Sequence, residues 1–238
     1  KGRMAEPEAI VEWLSDFFEK EKSLKKKILI TAGPTYESID PVRFIGNYSS
    51  GKMGFSIAEE AARRGADVIL ITGPVHLQTS HPNITRIDVT SAQEMYESAL
   101  RYFPGTDGAI LSAAVADFRP ATKSNTKIKE KQHLTIELEP NPDIAQELGK
   151  LKKENQILAG FALETNDEMQ HAKGKLERKN FDFIVLNSLA DEGAGFGYDT
   201  NKVTVIKRNG DITNFALKSK KEVASDIISI FASMVNEK

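Results

Sequence analysis

The residues best suited to chemistry lie in the stretch 28–54, which reads ILITAGPTYESIDPVRFIGNYSSGKMG. An apolar, strand-like run passes into a long polar loop and then into a helix-forming pattern, where Ser49, Ser50, Gly51 and Gly54 lie. Backbone N–H groups at helix N-termini and in Gly-rich turns attract phosphate or carboxylate, and the helix dipole adds to the attraction. The stretch therefore predicts an anion-binding site.

Two common nucleotide-binding patterns do not fit this stretch. Lys52 is followed by Met53 where a P-loop has Ser or Thr, which argues against a P-loop NTPase. The turn after the first apolar run reads TAGPTYE without a GxGxxG pattern, and the second run ends in TGP with no acidic residue for a ribose. A dinucleotide-dependent reductase and a non-catalytic nucleotide-sensing module remain as alternatives.

Polar side chains recur after the later apolar runs as well. Arg43, Asn47 and Lys52 follow the first run, and Asp117 and Lys127 follow the third. Ligands on open parallel sheets bind at the carboxyl ends of the strands, so these loops should converge on one site. Basic side chains outnumber acidic ones there, as expected for an anionic ligand.

Lys175 and Lys179 lie one helical turn apart on a predicted helix. They could grip one multiply charged ligand, or they could be solvated side chains that complement the helix C-terminus. Spacing alone favours the second interpretation. The four histidines have no ligand-like spacing, so no metal site built from protein side chains is expected.

Composition limits the class of protein. The 32 basic and 34 acidic residues nearly cancel, which argues against the broad positive field of a nucleic-acid-binding protein. The chain has no cysteine, so it has neither disulfides nor a cysteine nucleophile. No segment approaches the roughly 20 apolar residues of a membrane span, and we expect a cytoplasmic protein with no membrane partner.

Short β-rich runs alternate with amphipathic segments from Lys27 onward, which predicts an α/β fold. We expect a Rossmann-like, mostly parallel sheet flanked by helices, with peripheral antiparallel strands at 134–138 and 203–215. Helices are predicted over 50–64 and after starts at Ser91, Asn141 and Thr165. Residues 1–26 are interpreted as a linker or the end of an upstream domain, and 27–238 as one domain.

The segments TAGPTYESIDPVRFIGNYSSGKMG, RRGADVILITGPV, AAVADF, KIK, NPDI, GFALETN and KNFDFIVLN occur in this order. Together they resemble the phosphopantothenoylcysteine synthetase family from about residue 27 to 231. The resemblance implies a ligase of coenzyme A biosynthesis that joins 4′-phosphopantothenate to L-cysteine. It implies CTP as the activating substrate, an acyl-cytidylate intermediate, and Mg²⁺ bound with the nucleotide; other members of the family use ATP.

The same resemblance implies roles for individual residues. Asn47 and Lys127 would be catalytic, and Arg43, Asn47, Ser50, Gly51 and Lys52 would bind the substrate. The nucleotide would be bound by Leu111, Ser112, Ala113, Asp117, Lys127, Pro142, Asp143, Ile144, Ala145, Phe161, Lys175 and Lys179. From the residues alone, Phe161 would be a core residue, Asp117 a cap or turn residue, and Asn47 a turn residue.

The resemblance also implies partners. We expect a homodimer in which the partner subunit contributes to the substrate site. In the bifunctional bacterial proteins of this type a flavin-dependent decarboxylase precedes the synthetase, so FMN would belong to that upstream domain and not to this chain.

Overall fold

The structure is a computed structural model of the 238-residue chain, and the description covers residues 6–7, 10–11, 24–129, 133–164, 167–188 and 198–238. In chain order the strands are β1 Lys27–Ala32, β2 Tyr36–Ser38, β3 Phe44–Gly46, β4 Asp67–Thr72, β5 Ile84–Asp88, β6 Gly108–Leu111, β7 Phe118–Pro120, β8 Leu138–Pro140, β9 Ile157–Glu164, β10 Phe183–Ser188, β11 Thr200–Asn201, β12 Val203–Lys207, β13 Ile212–Asn214 and β14 Lys218–Ser219. The helices are α1 Lys52–Arg63, α2 Ala92–Tyr102, α3 Ile144–Leu151, α4 Glu168–Arg178 and α5 Lys220–Glu237.

The main sheet has the strand order β13-β12-β10-β9-β6-β1-β4-β5. The strands from β5 to β10 pair in parallel, whereas β12 and β13 are antiparallel and form one edge. Counted along the chain, the parallel strands lie in the order 3-2-1-4-5-6, which is the Rossmann order. The predicted fold class is therefore confirmed. The strand order reverses between β1 and β6, and ligands on such sheets bind beside that point.

Apolar residues of the central strands point alternately to the two faces of the sheet. On one face, Ile28 and Ile30 of β1 join a buried cluster with residues of α1 and α5. On the other face, Leu29 joins a cluster with residues of α2, α3 and α4. Leu24 is also buried in the first cluster, so the hydrophobic core includes residues that precede β1. Helices cover both faces of the sheet, which explains why the central strands are almost continuously apolar.

Several predicted elements are confirmed. The helix expected over 50–64 is α1, and Gly65 follows it with a positive φ of 91°. The capping box of Ser91 and Glu94 starts α2. The pattern after Val203 forms the hairpin of β12 and β13.

Other elements differ from the prediction. The helix start expected at Asn141 is wrong, because Asp143 is the N-cap of α3 and its side chain accepts a hydrogen bond from the N–H of Gln146. Asn141 donates its side-chain amide to the carbonyl of Ala116 instead, at 2.8 Å. The third apolar run, 109–115, leaves the sheet at Leu111. Thr165 lies outside the described residues, and Asp167 is the N-cap of α4.

Two smaller differences concern strands. Strand β5 was not predicted because it is an edge strand with only two apolar residues, Ile84 and Ile87. In the predicted peripheral strand 134–138, only the last residue belongs to a strand, β8.

Candidate functional site

The loops that follow β1 and β6 are bonded to each other where the strand order reverses. The N–H of Ser112 donates to the carbonyl of Thr31 at 3.2 Å, and that of Ala114 to the carbonyl of Gly33 at 2.9 Å. The N–H of Ala116 donates to the hydroxyl of Thr35 at 2.9 Å. These bonds continue the parallel pairing beyond the end of the strands, so both loops are held at the carboxyl edge of the sheet.

The loop after β4 packs closely against the loop after β1. A Cβ atom at Gly73 would lie 1.6 Å from the carbonyl oxygen of Pro34. This distance is far below any van der Waals contact, so only glycine fits at position 73. This close contact between Gly73 and Pro34 fixes the position of the loop that carries Pro34 relative to the sheet.

Asn47 lies at the junction of these loops. Its side-chain amide Nδ2 donates to the carbonyl of Val115 at 3.0 Å. The hairpin of β2 and β3, which carries the residue, is stiffened by the stacked rings of Tyr36 and Phe44, whose centroids lie 3.8 Å apart. Asn47 itself is exposed. The carboxamide is thus positioned beside the ends of β1 and β6 and open to solvent.

The N-terminus of α1 opens at the same edge. Gly51 has a φ of 75°, a left-handed conformation that favours glycine, and among the described residues no side chain caps the helix there. The first N–H groups of a helix have no intrahelical acceptor, so they are available to an anion. Lys52, the first residue of α1, forms an ion pair with Asp199 at 2.7 Å.

We call the space in front of this helix the α1 cavity. Its lining residues are 49–54, 112–114, 161–163, Asn187, Asn201 and Lys220. The structure therefore brings the predicted substrate residues Ser50, Gly51 and Lys52 together with Ser112, which was predicted to bind nucleotide.

A second space, the α3 cavity, lies beside the N-terminus of α3. Its lining residues are Thr31, Leu111, Ala113, Val115, Ala116, Asp117, Asn141, Pro142, Asp143, Ile144, Ala145, Phe161 and Lys179. Nine of the residues predicted to bind nucleotide line it: Leu111, Ala113, Asp117, Pro142, Asp143, Ile144, Ala145, Phe161 and Lys179. Ala113 and Phe161 belong to both cavities, so the two spaces adjoin.

Lys179 brings positive charge to the α3 cavity. Its Nζ lies 3.2 Å from Oδ2 of Asp143, the N-cap of α3. The lysine follows directly after α4, but its side chain reaches the N-terminus of a different helix. A cation and the positive end of a helix dipole thus meet at one side of the cavity, which suits a polyanionic ligand.

Four predicted site residues, Arg43, Asn47, Lys127 and Lys175, line neither cavity. Lys127 is exposed, and Lys175 is half-buried on α4. The guanidinium of Arg43 pairs with Asp40 and donates to the carbonyl of Ile128 at 2.9 Å. The hydrogen bond from Arg43 holds the pKa of the Asp40 carboxyl well below its usual range. Arg43 therefore links its own loop to the segment that carries Lys127.

The structure also adds residues that the sequence analysis did not assign. Thr31 lines the α3 cavity, whereas Asn187, Asn201 and Lys220 line the α1 cavity. Asn187 ends an apolar run, as strand-end ligand residues do, so the motif FIVLN could have indicated it. Lys220 offers no local signal, because only the tertiary fold brings the start of α5 beside the start of α1.

Within the described ranges, no group of three or more histidine, aspartate or glutamate side chains is arranged to hold a metal ion. Among the helices of those ranges, none is both long enough and apolar enough to span a membrane.

Comparison with known proteins places these features in context. A family model described as the DNA/pantothenate metabolism flavoprotein C-terminal domain matches residues 24–234. The chain is 54% identical over 242 residues to a "Cysteine/Cysteine sulfinic acid decarboxylase" from an unknown prokaryotic organism, covering 99% of this chain and 67% of that protein. It is 47% identical over 231 residues to the coenzyme A biosynthesis bifunctional protein CoaBC of Haemophilus influenzae, covering 96% of this chain.

The chain spans 57% of the length of that CoaBC relative. Among solved structures, the crystal structure of the C-terminal domain of a CoaBC protein matches with a TM-score of 0.79 and 41% sequence identity. The match covers 92% of this chain and 100% of that one. The similarity therefore extends over a whole domain of the larger proteins.

Proposed function

The chain belongs to the DNA/pantothenate metabolism flavoprotein C-terminal domain family, and from this membership we propose that it is a phosphopantothenate–cysteine ligase of coenzyme A biosynthesis. It joins 4′-phosphopantothenate to L-cysteine and gives 4′-phosphopantothenoylcysteine. The observation that carries the proposal is the pair of adjoining cavities at the carboxyl edge of the sheet. One suits an anionic acyl substrate and the other a nucleotide, and they meet at Ala113 and Phe161.

The reaction has two steps. An oxygen of the substrate carboxylate attacks the α-phosphorus of CTP, the bond to pyrophosphate breaks, and an acyl-cytidylate forms. The amine of cysteine then attacks the acyl carbon, the carbon–oxygen bond to CMP breaks, and the amine proton is released. A carboxylate is a poor electrophile and a mixed anhydride is a good one, so the first step makes the second possible without an enzyme nucleophile.

The α3 cavity provides the nucleotide site. Phe161 contacts the base, Asp117 binds the sugar, and the N-terminus of α3 with Lys179 faces the triphosphate. Lys127 and Lys175 bring further positive charge beside the triphosphate when substrate is bound. Mg²⁺ would be bound with the nucleotide and would neutralise part of its charge.

Asn47 acts at the reacting carbonyl. Its carboxamide is tied to the carbonyl of Val115, a lining residue of the α3 cavity, and its second bond, at 3.5 Å, is to Ala114 of the α1 cavity. Nδ2 donates to these two backbone carbonyls, so Oδ1 is the atom left for the reactants, and it can accept a hydrogen bond from the attacking amine as positive charge develops there. Asn47 therefore contributes mainly to the conversion of the acyl-cytidylate.

We infer a homodimer, in which Lys127, which lines neither cavity of its own subunit, reaches the nucleotide of the partner subunit. The size of the CoaBC relatives supports an upstream decarboxylase domain in the full-length protein, with FMN bound there. The enzyme acts in the cytoplasm, where 4′-phosphopantothenate, cysteine and CTP are its substrates.

One experiment tests these proposals. The chain is incubated with Mg²⁺, 4′-phosphopantothenate and cysteine, together with CTP, ATP or NADPH. The ligase produces CMP, pyrophosphate and 4′-phosphopantothenoylcysteine with CTP and much less product with ATP. Nucleotide binding without any product would favour a sensing module, and oxidation of NADPH would favour a reductase.

The name of the relative with 54% identity motivates a second arm. Cysteine or cysteine sulfinic acid is supplied alone, and release of CO₂ is measured. The ligase proposal predicts no CO₂ release by this chain. Release that required neither nucleotide nor 4′-phosphopantothenate would contradict it.

A further inference from the structure

Asn180, which lies just beyond the C-terminus of α4, has a backbone conformation that is uncommon for a residue other than glycine. Its φ is 54°, and among the described residues Asp167 is the only other non-glycine residue with a positive φ. The N–H of Asn180 donates to the carbonyl of Glu177 at 3.1 Å. The next N–H, that of Phe181, donates to the carbonyl of Leu176 at 3.0 Å. These two bonds form a Schellman motif, in which glycine is the usual residue at this position.

The side chain of Asn180 joins three parts of the fold. Its Nδ2 donates to the carbonyl of Gly149, in the last turn of α3, at 2.8 Å. Its Oδ1 accepts a hydrogen bond from the guanidinium of Arg208, just after β12, at 2.8 Å. The end of α4 is therefore tied both to α3 and to the end of β12. Glycine would adopt the same φ more easily but could make neither bond.

Lys179, the residue before Asn180, is held against the same helix. A Cβ atom at position 149 would lie 2.2 Å from the carbonyl oxygen of Lys179, so the backbones of α3 and Lys179 are in contact. At the other end of the lysine, Nζ lies 3.2 Å from Oδ2 of Asp143. Residues 143 and 149 are about 9 Å apart along the axis of α3. The lysine side chain thus runs along α3 from its last turn to its N-cap.

This arrangement connects Asn180 to the α3 cavity through one side chain. Lys179 lines that cavity, whereas Asn180 and Gly149 do not. The backbone of the lysine is thus anchored outside the cavity, and its ammonium group lies at the helix N-terminus that forms part of the cavity wall. A lysine has a flexible four-carbon stem, so the position of its ammonium group depends on where its backbone is held.

We propose that Asn180 is a positioning residue for the nucleotide: by fixing the end of α4 to α3, it directs the ammonium group of Lys179 toward the triphosphate. This role rests on the ligase function proposed above. Asn180 does not touch the nucleotide and takes no part in proton transfer. Removing its carboxamide should therefore weaken nucleotide binding and leave the sites of the other two substrates unchanged.

The substitution Asn180→Gly tests the proposal, since glycine keeps the backbone conformation and lacks only the carboxamide. Isothermal titration calorimetry with Mg²⁺ and either CTP or ATP, without 4′-phosphopantothenate, measures nucleotide affinity in the absence of turnover. Loss of the bonds to Gly149 and Arg208 should weaken nucleotide binding roughly three- to tenfold. In turnover assays the KM for the nucleotide should rise, whereas the KM values for 4′-phosphopantothenate and cysteine should stay the same.

A double-mutant cycle with Lys179→Met separates this role from a general effect on stability. Loss of the lysine's charge-assisted contact with the triphosphate should weaken nucleotide binding roughly 10- to 100-fold. If Asn180 acts through Lys179, then Asn180→Gly should change the affinity of the Lys179→Met chain by less than about twofold. A residue that only stabilises the fold would give the same loss in both backgrounds.

Asn209→Gly is the matched control, because it makes the same chemical change in the exposed turn between β12 and β13. It should leave the affinity for nucleotide unchanged. Asn180→Asp is a second variant, since its carboxylate keeps an acceptor for Arg208 but cannot donate to the carbonyl of Gly149. It should reproduce the selective loss, and it serves in place of Asn180→Gly if thermal unfolding shows that the glycine variant does not fold.

Unchanged nucleotide affinity in folded Asn180→Gly, or an equal loss with and without Lys179, would overturn the proposal. A wild-type chain that makes no product but binds nucleotide by way of Asn180 and Lys179 would refute the ligase and support the positioning role. Product formation by the wild type, together with full nucleotide affinity in Asn180→Gly, would do the reverse. A wild-type chain that binds neither CTP nor ATP would refute both.

Discussion

Asn47 and Val115 are joined by a hydrogen bond of 3.0 Å from the side-chain amide of the first to the carbonyl of the second. They lie 68 residues apart in the chain, Asn47 directly after β3 and Val115 on the loop that follows β6. The bond orients the carboxamide by its donor nitrogen, beside Val115, which lines the α3 cavity. Any substitution that removes this donor disturbs the orientation without emptying the core.

Replacing Asn47 by Asp should separate the two steps of the reaction. The carboxylate has no N–H to donate to Val115, and its charge opposes the negative charge that develops at the reacting carbonyl. We expect normal pyrophosphate release in the first turnover and roughly a 100-fold loss of amide formation with cysteine, because the side chain is no longer held in position by Val115 and a misplacement of about 1 Å can cost that much. Single-turnover assays with labelled CTP would measure both steps.

The matched control for that variant is Asn236→Asp, which makes the same chemical change at an exposed position near the end of α5. It should retain the activity and unfolding temperature of the wild type. Full product formation by Asn47→Asp would rule out the proposed role of Asn47.

Lys127→Gln should impair the first step. Two unit charges 4 Å apart interact by about 4 kcal/mol at an effective dielectric constant of 20, so loss of one lysine from the triphosphate is costly. We expect pyrophosphate release to fall at least tenfold, whereas Lys123→Gln, an exposed lysine of the same segment, should not change it. Equal rates for wild type and Lys127→Gln would remove Lys127 from the mechanism.

A mixture of two inactive variants tests whether Lys127 acts across a dimer. If it serves the partner's site, heterodimers of Asn47→Asp and Lys127→Gln contain one site with both residues intact. Random exchange of subunits in a symmetric dimer should then restore about a quarter of the wild-type activity. If both residues serve the same subunit, the mixture stays inactive.

Much of the fold could be predicted because its signals are local. The apolar runs of β1, β4, β9 and β10 and the helix pattern of α1 are strong, and their alternation predicts a mostly parallel sheet flanked by helices. The start of α3 was misplaced because Asn, Pro and Asp all lie in 141–143, and each of them suits a helix start. Only tertiary contacts decide that Asn141 bonds to Ala116 and leaves Asp143 as the cap.

The part of the candidate site that could be predicted also has local signals in the sequence. Strand-end residues such as Ala113 and Phe161 are visible as the ends of apolar runs, and they do line the cavities. Lys52 and Asp199, in contrast, are 147 residues apart and meet only because α1 and α5 pack side by side. Sequence spacing carries no information on such pairs. Lys220 was missed for the same reason, since only the packing of α5 beside α1 brings it to the α1 cavity.

Gly73→Ala should damage the site through the backbone. The new Cβ would lie 1.6 Å from the Pro34 carbonyl, so the loop after β1 must move. Overpacking of this kind costs about 1–3 kcal/mol, and a shift of about 1 Å in a positioning loop can lower the rate by about 100-fold. Denaturant unfolding and steady-state kinetics would measure both effects. Gly105→Ala is the control, since no atom lies within 4 Å of the added Cβ.

Asp182 should control stability at acidic pH from the opposite edge of the sheet. Its carboxylate contacts the ammonium of Lys152 at 2.8 Å and that of Lys238 at 3.0 Å, and accepts a hydrogen bond from the N–H of Leu158. Burial raises the pKa of Asp182, but the hydrogen bonds from Lys152 and Leu158 outweigh it and hold that pKa below 3.8. The ionised carboxylate therefore stabilises the folded state.

The pH dependence follows from the direction of that shift. Because the pKa of Asp182 is lower in the folded than in the unfolded chain, its contribution is complete above about pH 4 and is lost as the pH falls through the folded pKa. Asp182→Asn leaves Lys152 buried without its counter-charge, and should lower the free energy of unfolding at pH 7 by about 3–5 kcal/mol. Its stability should also fall less steeply below pH 4 than that of the wild type.

Urea unfolding between pH 3 and pH 7 would test this, with Asp211→Asn as the control because Asp211 lies exposed in the turn between β12 and β13. That control should stay within about 0.5 kcal/mol of the wild type. Because the cluster lies at the start of β9 and β10 and the cavities lie at their ends, folded Asp182→Asn should keep wild-type KM values. A variant with wild-type stability at pH 7 would show that the lysines do not depend on Asp182.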